Sequence, residues 1–351
     1  MGDSNMVKKV YYILLVGLCV LNACNKNDDK FIHISPVPTV WLEHEDFIDG
    51  DAGLNVFYDI CAKDSLLYCV DFLNDTIMKV FSVESPSTFL HYTLKGNGPD
   101  DLILPVFDVA SSLEYDKVKL LDINLWRVKE ACVNLDKRRR LLKMDSSYLL
   151  PAIPAIKEFS ITENYIYGTD VEMKHGAFFV YDRNDGAMKV ADYGINIDNC
   201  SSKYSEKALP FLLEGVFSVN EIKNTICYGM KNLNIVSFYD ALGELQKNII
   251  IGNQITYPSA NSKFLDFSDA PKYITSMSGT HENLYCLYQG SDSDVNGSRI
   301  LQFDWAGNLK EVIQLDVNLE KISVNPNDKY IYGTMMTEEG GTNVVRFSLF
   351  K

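Results

Sequence analysis

Short apolar runs bounded by Gly, Asn and Asp dominate this chain, and a 3.6-residue periodicity is weak throughout. One strand-like run recurs six times, each preceded by an Asp or Asn at or near a turn. Those residues are Asp64, Asp116, Asn164, Asn224, Asn283 and Asp328. The apolar cores begin near Leu66, Val118, Tyr165, Thr225, Leu284 and Tyr330, at steps of 52, 47, 60, 59 and 46 residues. Such a period suits a four-stranded propeller blade of about 40 to 50 residues with somewhat long loops.

A second landmark keeps register with the first. Tyr181-Asp182, Tyr239-Asp240 and Phe303-Asp304 each end a strand, and Gly186, Gly243 and Gly307 follow shortly after. Asp accepts turn hydrogen bonds and Gly takes the φ > 0 position, so these predict hairpins one strand after the repeated run. Further β-rich runs complete the units, with Leu141 to Met144 expected as the fourth strand of the second. Only one helical turn is expected, between Tyr204 and Val216.

The last unit offers Ile322 to Val324, Tyr330 to Met335 and Val344 to Phe350, and then the chain ends without an outer strand. Phe31 to Leu42 is β-rich and otherwise unassigned. It is expected to supply the missing strand, since ring closure removes exposed sheet edges. The expected fold is therefore all-β, a six-bladed β-propeller of four-stranded blades over residues 31–351. An N-terminal strand pairing with the C-terminal blade closes the ring, which would set the N-terminal tether beside the seam.

The leader reads as an export signal. Lys8 and Lys9 precede an apolar run from Val10 to Leu21, followed by Asn22-Ala23-Cys24. That run is about a dozen residues, short of the roughly 20 a membrane-spanning helix needs. Leu21-Asn22-Ala23-Cys24 resembles a bacterial lipobox, which implies that residues 1–23 are a lipoprotein signal peptide and that Cys24 is lipidated. Residues 24–30 then form a polar tether, and the lipid would be the membrane contact. Asp28 and Asp29 resemble the acidic signal that sends lipoproteins of Bacteroides-type bacteria to the cell surface; an ordinary hydrophilic spacer would read the same. The expectation is an outer-membrane lipoprotein, with the cell surface and the periplasmic face both open.

Composition narrows the function classes. The net charge is -14, which argues against nucleic-acid partners, because those are held by neutralising phosphates with Lys and Arg. Lys137-Arg138-Arg139-Arg140 is the one basic cluster and reads as a solvated hairpin tip. Outside the leader, Cys61, Cys69, Cys132, Cys200, Cys227 and Cys286 form no CxxC pair. Cys69, Cys227 and Cys286 fall inside apolar runs, where Cys acts as a small buried hydrophobe, so mostly free thiols are expected.

Lys95-Gly96-Asn97-Gly98-Pro99-Asp100-Asp101-Leu102 follows the outer strand of the first unit. It resembles the G-x-G-P-G-E-F signature of the TolB-like six-bladed β-propeller lipoproteins of Bacteroides-type bacteria. Gly96, Gly98 and Pro99 match, whereas Asp100, Asp101 and Leu102 replace the usual Gly, Glu and aromatic. The resemblance implies the propeller fold over the whole mature chain, and the substitutions put a shared role for this loop in doubt. Physically, Gly-x-Gly-Pro is a chain reversal fit for crossing between blades.

Dedicated chemistry is sparse. Asp292, Asp294 and Asn296 before Gly297 fit the opening of a calcium loop, yet Phe303 stands where an EF-hand needs Glu. A non-EF Ca²⁺ turn with those three ligands and a plain hairpin loop are both open readings; no other cofactor is expected. The five His show no metal-binding spacing, and no G-x-S-x-G elbow occurs. Trp41, Trp126 and Trp305 are candidates to stack on sugars, or packing residues. Two functions fit: a non-catalytic, lipid-tethered binding or scaffold module for an unidentified protein or glycan, or a carbohydrate-active hydrolase or lyase at the central channel. A converging cluster of Asp, Glu, His or Tyr at the channel mouth would favour the enzyme.

Overall fold

The computed structural model describes residues 30–350, except 35–36, 50–54, 87–88, 111–112, 114–116, 133–139, 171–175, 197–199, 201–203, 259–270 and 291–296. Cys24, Asp292, Asp294, Asn296 and most of the basic cluster therefore lie outside the described residues. Three short strands come first: β1 (Lys30–Ile32), β2 (Thr39–Leu42) and β3 (Glu45–Ile48).

Six antiparallel blades follow. Blade 1 holds β4 (Phe57–Lys63), β5 (Leu66–Asp71), β6 (Met78–Ser82) and β7 (Phe89–Thr93). Blade 2 holds β8 (Pro105–Phe107), β9 (Lys117–Asp122), β10 (Arg127–Cys132) and β11 (Met144–Leu149). Blade 3 holds β12 (Ile156–Ile161), β13 (Tyr165–Asp170), β14 (Phe178–Asp182) and β15 (Met188–Ala191). After the helical turn α1 (Leu209–Leu212), blade 4 holds β16 (Gly215–Asn220), β17 (Thr225–Met230), β18 (Ile235–Asp240) and β19 (Leu245–Ile251). Blade 5 holds β20 (Ile274–Gly279), β21 (Asn283–Tyr288), β22 (Arg299–Asp304) and β23 (Leu309–Leu315). Blade 6 holds β24 (Lys321–Val324), β25 (Tyr330–Met336) and β26 (Thr342–Ser348) from the C-terminus, with β3 as its outer strand. The first strands touch one another in the order β4, β8, β12, β16, β20, β24 and back to β4, so they ring a central channel.

The repeated apolar run is the second strand of every blade. Asp64, Asn224 and Asp328 precede it at φ of 49°, 51° and 55°, the left-handed region that Asn and Asp tolerate best after Gly. The three Tyr/Phe-Asp landmarks join third to fourth strands, with Gly186, Gly243 and Gly307 at φ of 73–76°.

Two strand expectations are corrected. The closing strand is Glu45–Ile48, paired antiparallel with β26, and not Phe31 to Leu42. That earlier segment instead adds β1 in parallel to β19 and β2 in parallel to β23, widening blades 4 and 5 to five strands. The N-terminal chain thus runs along the rim from blade 4 to blade 6, and Lys30 sits at blade 4 rather than at the seam. Phe47 and Ile48 close the ring because both are buried against Tyr332 and Val344. In blade 2 the fourth strand is Met144–Leu149. Leu141 makes an isolated parallel bridge to Tyr92 of blade 1 instead, so pairing restarts three residues later.

Burial explains why the second strands read as continuous apolar runs. Both faces of each blade pack on neighbours, and one hydrophobic cluster fills each of the six junctions. Along β17, Ile226 and Tyr228 feed the junction with blade 3, whereas Cys227 feeds that with blade 5. Gly229 of the same strand permits close approach: a Cβ there would meet Met277 Cε at 2.5 Å. Cys69, Cys227 and Cys286 are buried free thiols, and burial pushes each of them up in pKa.

Candidate functional site

First strands present an unpaired inner edge to the channel, so their inward N–H groups need acceptors from elsewhere. Side chains of the neighbouring blade supply them. Phe107 N–H donates to Asp59 Oδ2 (2.8 Å), Ile161 N–H to Asp108 Oδ2 (2.8 Å) and Phe217 N–H to Glu158 Oε2 (3.2 Å). Ile322 and Val324 N–H donate to the hydroxyls of Ser276 (3.2 Å) and Ser278 (2.9 Å), and Ala62 N–H to Ser323 (2.8 Å). Five of the six junctions are stitched in this way. At the fourth-to-fifth junction Ser218 faces Gly279, and its buried Oγ has no hydrogen-bond partner among the described residues.

Inside this ring lies a cavity of about 260 Å³ lined by all six first strands. Lysines gather at the end where those strands begin. Lys157 is the second residue of β12, Lys231 follows β17, and Lys321 opens β24. Lys321 Nζ lies 2.5 Å from Asp59 Oδ1, while Lys157 and Lys231 share Glu214 Oε1, the latter at 2.9 Å. Against the cost of burial, Asp59 and Glu158 hold the Lys321 amine above its ordinary value. Against the same cost, Lys231 and Lys157 hold the Glu214 carboxyl below the usual range.

Two channel carboxyls behave differently. Burial pushes Glu158 above the ordinary carboxylate range, with Lys321 and Lys231 pulling it back only in part. Burial likewise raises Asp108, which accepts Ala110 and Ile161 N–H and lies opposite Lys119. Neither His nor Tyr lines this cavity among the described residues.

The Gly96–Leu102 loop is the predicted reversal between blades 1 and 2, closed by a bridge of Lys95 with Leu102. Its interior is a buried amine: Lys129 Nζ donates to Gly98 O (3.1 Å) and to Asp101 O. Gly98 N–H donates to Asp101 Oδ2 (3.0 Å), and a Cβ on Gly96 or Gly98 would stand 2.6 Å from that oxygen. The glycines are there because the acid packs over them. Nothing in the loop opens towards the channel cavity.

Of the sequence-derived candidates, Trp305 is buried, its Nε1 donating to Thr280 O at 2.9 Å, and Trp126 is half-buried with Nε1 on Pro151 O at 3.2 Å. Both pack within the protein, whereas Trp41 on β2 is 66% exposed. The channel charges were not singled out from sequence. Their signal was present as Lys157-Glu158 and Lys321 adjoining short apolar runs, but first strands carry no repeat landmark.

No protein-family model matches the chain, and no curated protein matches it. Solved structures do. A DUF4221 family member from Bacteroides vulgatus superposes with a TM-score of 0.54 at 9% identity, covering 87% of this chain and 97% of that one. A Bacteroides fragilis protein described as exported superposes with a TM-score of 0.52 at 12% identity, covering 92% of this chain and 100% of that one. At such identities the likeness concerns the fold, a six-bladed propeller.

Proposed function

We propose that this chain is an exported, lipid-anchored propeller that binds a ligand at the mouth of its central channel, without catalysis. The commitment of the channel carboxylates carries this reading. Asp59 and Asp108 use both oxygens on backbone N–H groups or Lys321, and Glu158 is tied to Phe217, so they stitch blades together. A general acid or base needs a group free to exchange its proton with substrate. Lysines and hydroxyls, by contrast, are left with spare donors facing a cavity, which suits recognition. Propellers host both roles, so the site must decide and not the fold.

The lipobox resemblance at Cys24 supports anchoring, and the exported Bacteroides neighbour supports an extracytoplasmic place. Both are in keeping with attachment to the outer membrane, the chain joining the ring at blade 4 through Lys30. Cys24→Ser would then abolish incorporation of labelled fatty acid; undiminished labelling would refute the anchor. For binding, the full chain purified in detergent is screened against glycan and peptide arrays beside a Lys157→Met variant. Retention lost in the variant supports the channel mouth, and equal retention moves the site elsewhere. Glu158 favours a second reading as a hydrolase, because its raised carboxyl resembles a general acid. Turnover of an arrayed glycan, abolished by Glu158→Gln, would establish that reading instead.

A further inference from the structure

Taking the channel mouth to be a binding site, we infer that its ligand is a small oxyanion-bearing molecule, a carboxylate or sulfate of about monosaccharide size. Hydrogen-bonding capacity at the mouth is lopsided. Each Lys ammonium carries three donors. Lys321 spends one on Asp59, and Lys157 and Lys231 spend one each on Glu214. Two donors on each ammonium therefore meet no acceptor among the described residues. The hydroxyls of Ser276, Ser278 and Ser323 accept a backbone N–H and keep their own proton to give. Thr275 Oγ1, on the same cavity wall, is buried with no partner among the described residues.

Acceptors are fewer: Asp59 and Asp108 are engaged through both oxygens, and Glu158 holds Phe217 N–H through Oε2. That leaves Glu158 Oε1 as the one carboxyl oxygen of the lining without a hydrogen bond among the described residues. A cavity with surplus donors is matched by a ligand with surplus lone pairs, and charge-assisted bonds to an oxyanion are the strongest such pairing. Size selects within that class. A volume of about 260 Å³ falls just under the roughly 300–1,000 Å³ of drug-sized pockets, leaving room for one sugar ring with its acidic group. The net charge of -14 repels anions in general, so one that binds must be held by these local donors.

Titration calorimetry on the full chain in detergent, at low ionic strength, tests this with D-glucuronate, glucose 6-sulfate, glucose and inorganic sulfate. The expected result is saturable binding of glucuronate or glucose 6-sulfate at least tenfold tighter than glucose. Lys157→Met and Lys231→Met should each weaken it about tenfold while leaving the melting temperature in place, since Glu214 keeps its other lysine. Lys157→Arg should restore most of the affinity. Glucose binding as tightly as glucuronate, or affinity unchanged in both Met variants, overturns the oxyanion assignment. Inorganic sulfate binding as tightly as the sugar derivatives overturns the assignment of a sugar-sized ligand. If an arrayed peptide or neutral glycan occupies the mouth and the anions do not, this inference falls and the binding reading stands. If nothing binds there, both fall.

Discussion

Lys321 Nζ sits 2.5 Å from Asp59 Oδ1, so the first strand of the last blade is clamped to the first strand of the first. Asp59 also receives Ile60 N–H at 3.0 Å and Phe107 N–H at 2.8 Å, which ties blades 6, 1 and 2 through one carboxylate. Removing it strands an ammonium and two buried N–H groups at once. Asp59→Ala is expected to cost about 3 kcal/mol, measured by urea denaturation. A loss under about 1 kcal/mol would show that the junction does not depend on this residue.

The seam itself predicts a contrast between two N-terminal aromatics. Phe47 on β3 is 6% exposed and meets Tyr332 edge-on at 5.1 Å, whereas Trp41 on β2 is 66% exposed. Phe47→Ala should destabilise by about 3–5 kcal/mol as a core truncation, and Trp41→Ala by no more than about 0.5 kcal/mol. The reverse order would return ring closure to the Phe31 to Leu42 segment.

Gly98 and Asp101 give a double-mutant cycle. Gly98→Ala pushes a methyl to 2.6 Å from Asp101 Oδ2, so it should cost roughly 1–3 kcal/mol as overpacking. In an Asp101→Ala background the same change should cost clearly less, because the opposing atom has gone. Additive costs would mean that the glycine is needed for another reason.

Glu158 predicts a pH dependence with a definite sign. The carboxyl is faced by Lys157 on its own strand, Lys231 after β17, Lys321 on β24 and the Phe217 N–H on β16, yet burial keeps it above its ordinary 4.5. A raised carboxyl contributes stability fully below 4.5 and loses it as pH rises through the folded value. Glu158→Gln should therefore be more stable than the parent at pH 7 and lose that advantage at pH 4, read from denaturation midpoints. It should also tighten binding of glucuronate at pH 7. An equal offset at both pH values would contradict the shift.

Asn224 offers a clean backbone test, being exposed with φ of 51°. Asn224→Gly should lie within about 0.5 kcal/mol of the parent, whereas Asn224→Val should lose about 1–2 kcal/mol to strain. Equal effects would argue that the turn relaxes.

The sequence by itself determined the blade count, the second strand of each blade and the hairpins after Asp182, Asp240 and Asp304. Those features are local: strands buried on both faces must be continuously apolar, and the turns need residues tolerant of positive φ. It also located the reversal at Gly96–Leu102, though not the Lys129 amine inside it. Only the tertiary structure decided which N-terminal segment closes the ring, because Phe31 to Leu42 and Glu45–Ile48 are both plausible strands. Their partners β19, β23 and β26 lie more than 200 residues away. The channel site is non-local for the same reason. Asp59, Lys157, Glu158, Lys231 and Lys321 come from four blades, and no spacing along the chain relates them until ring closure turns their strands inward.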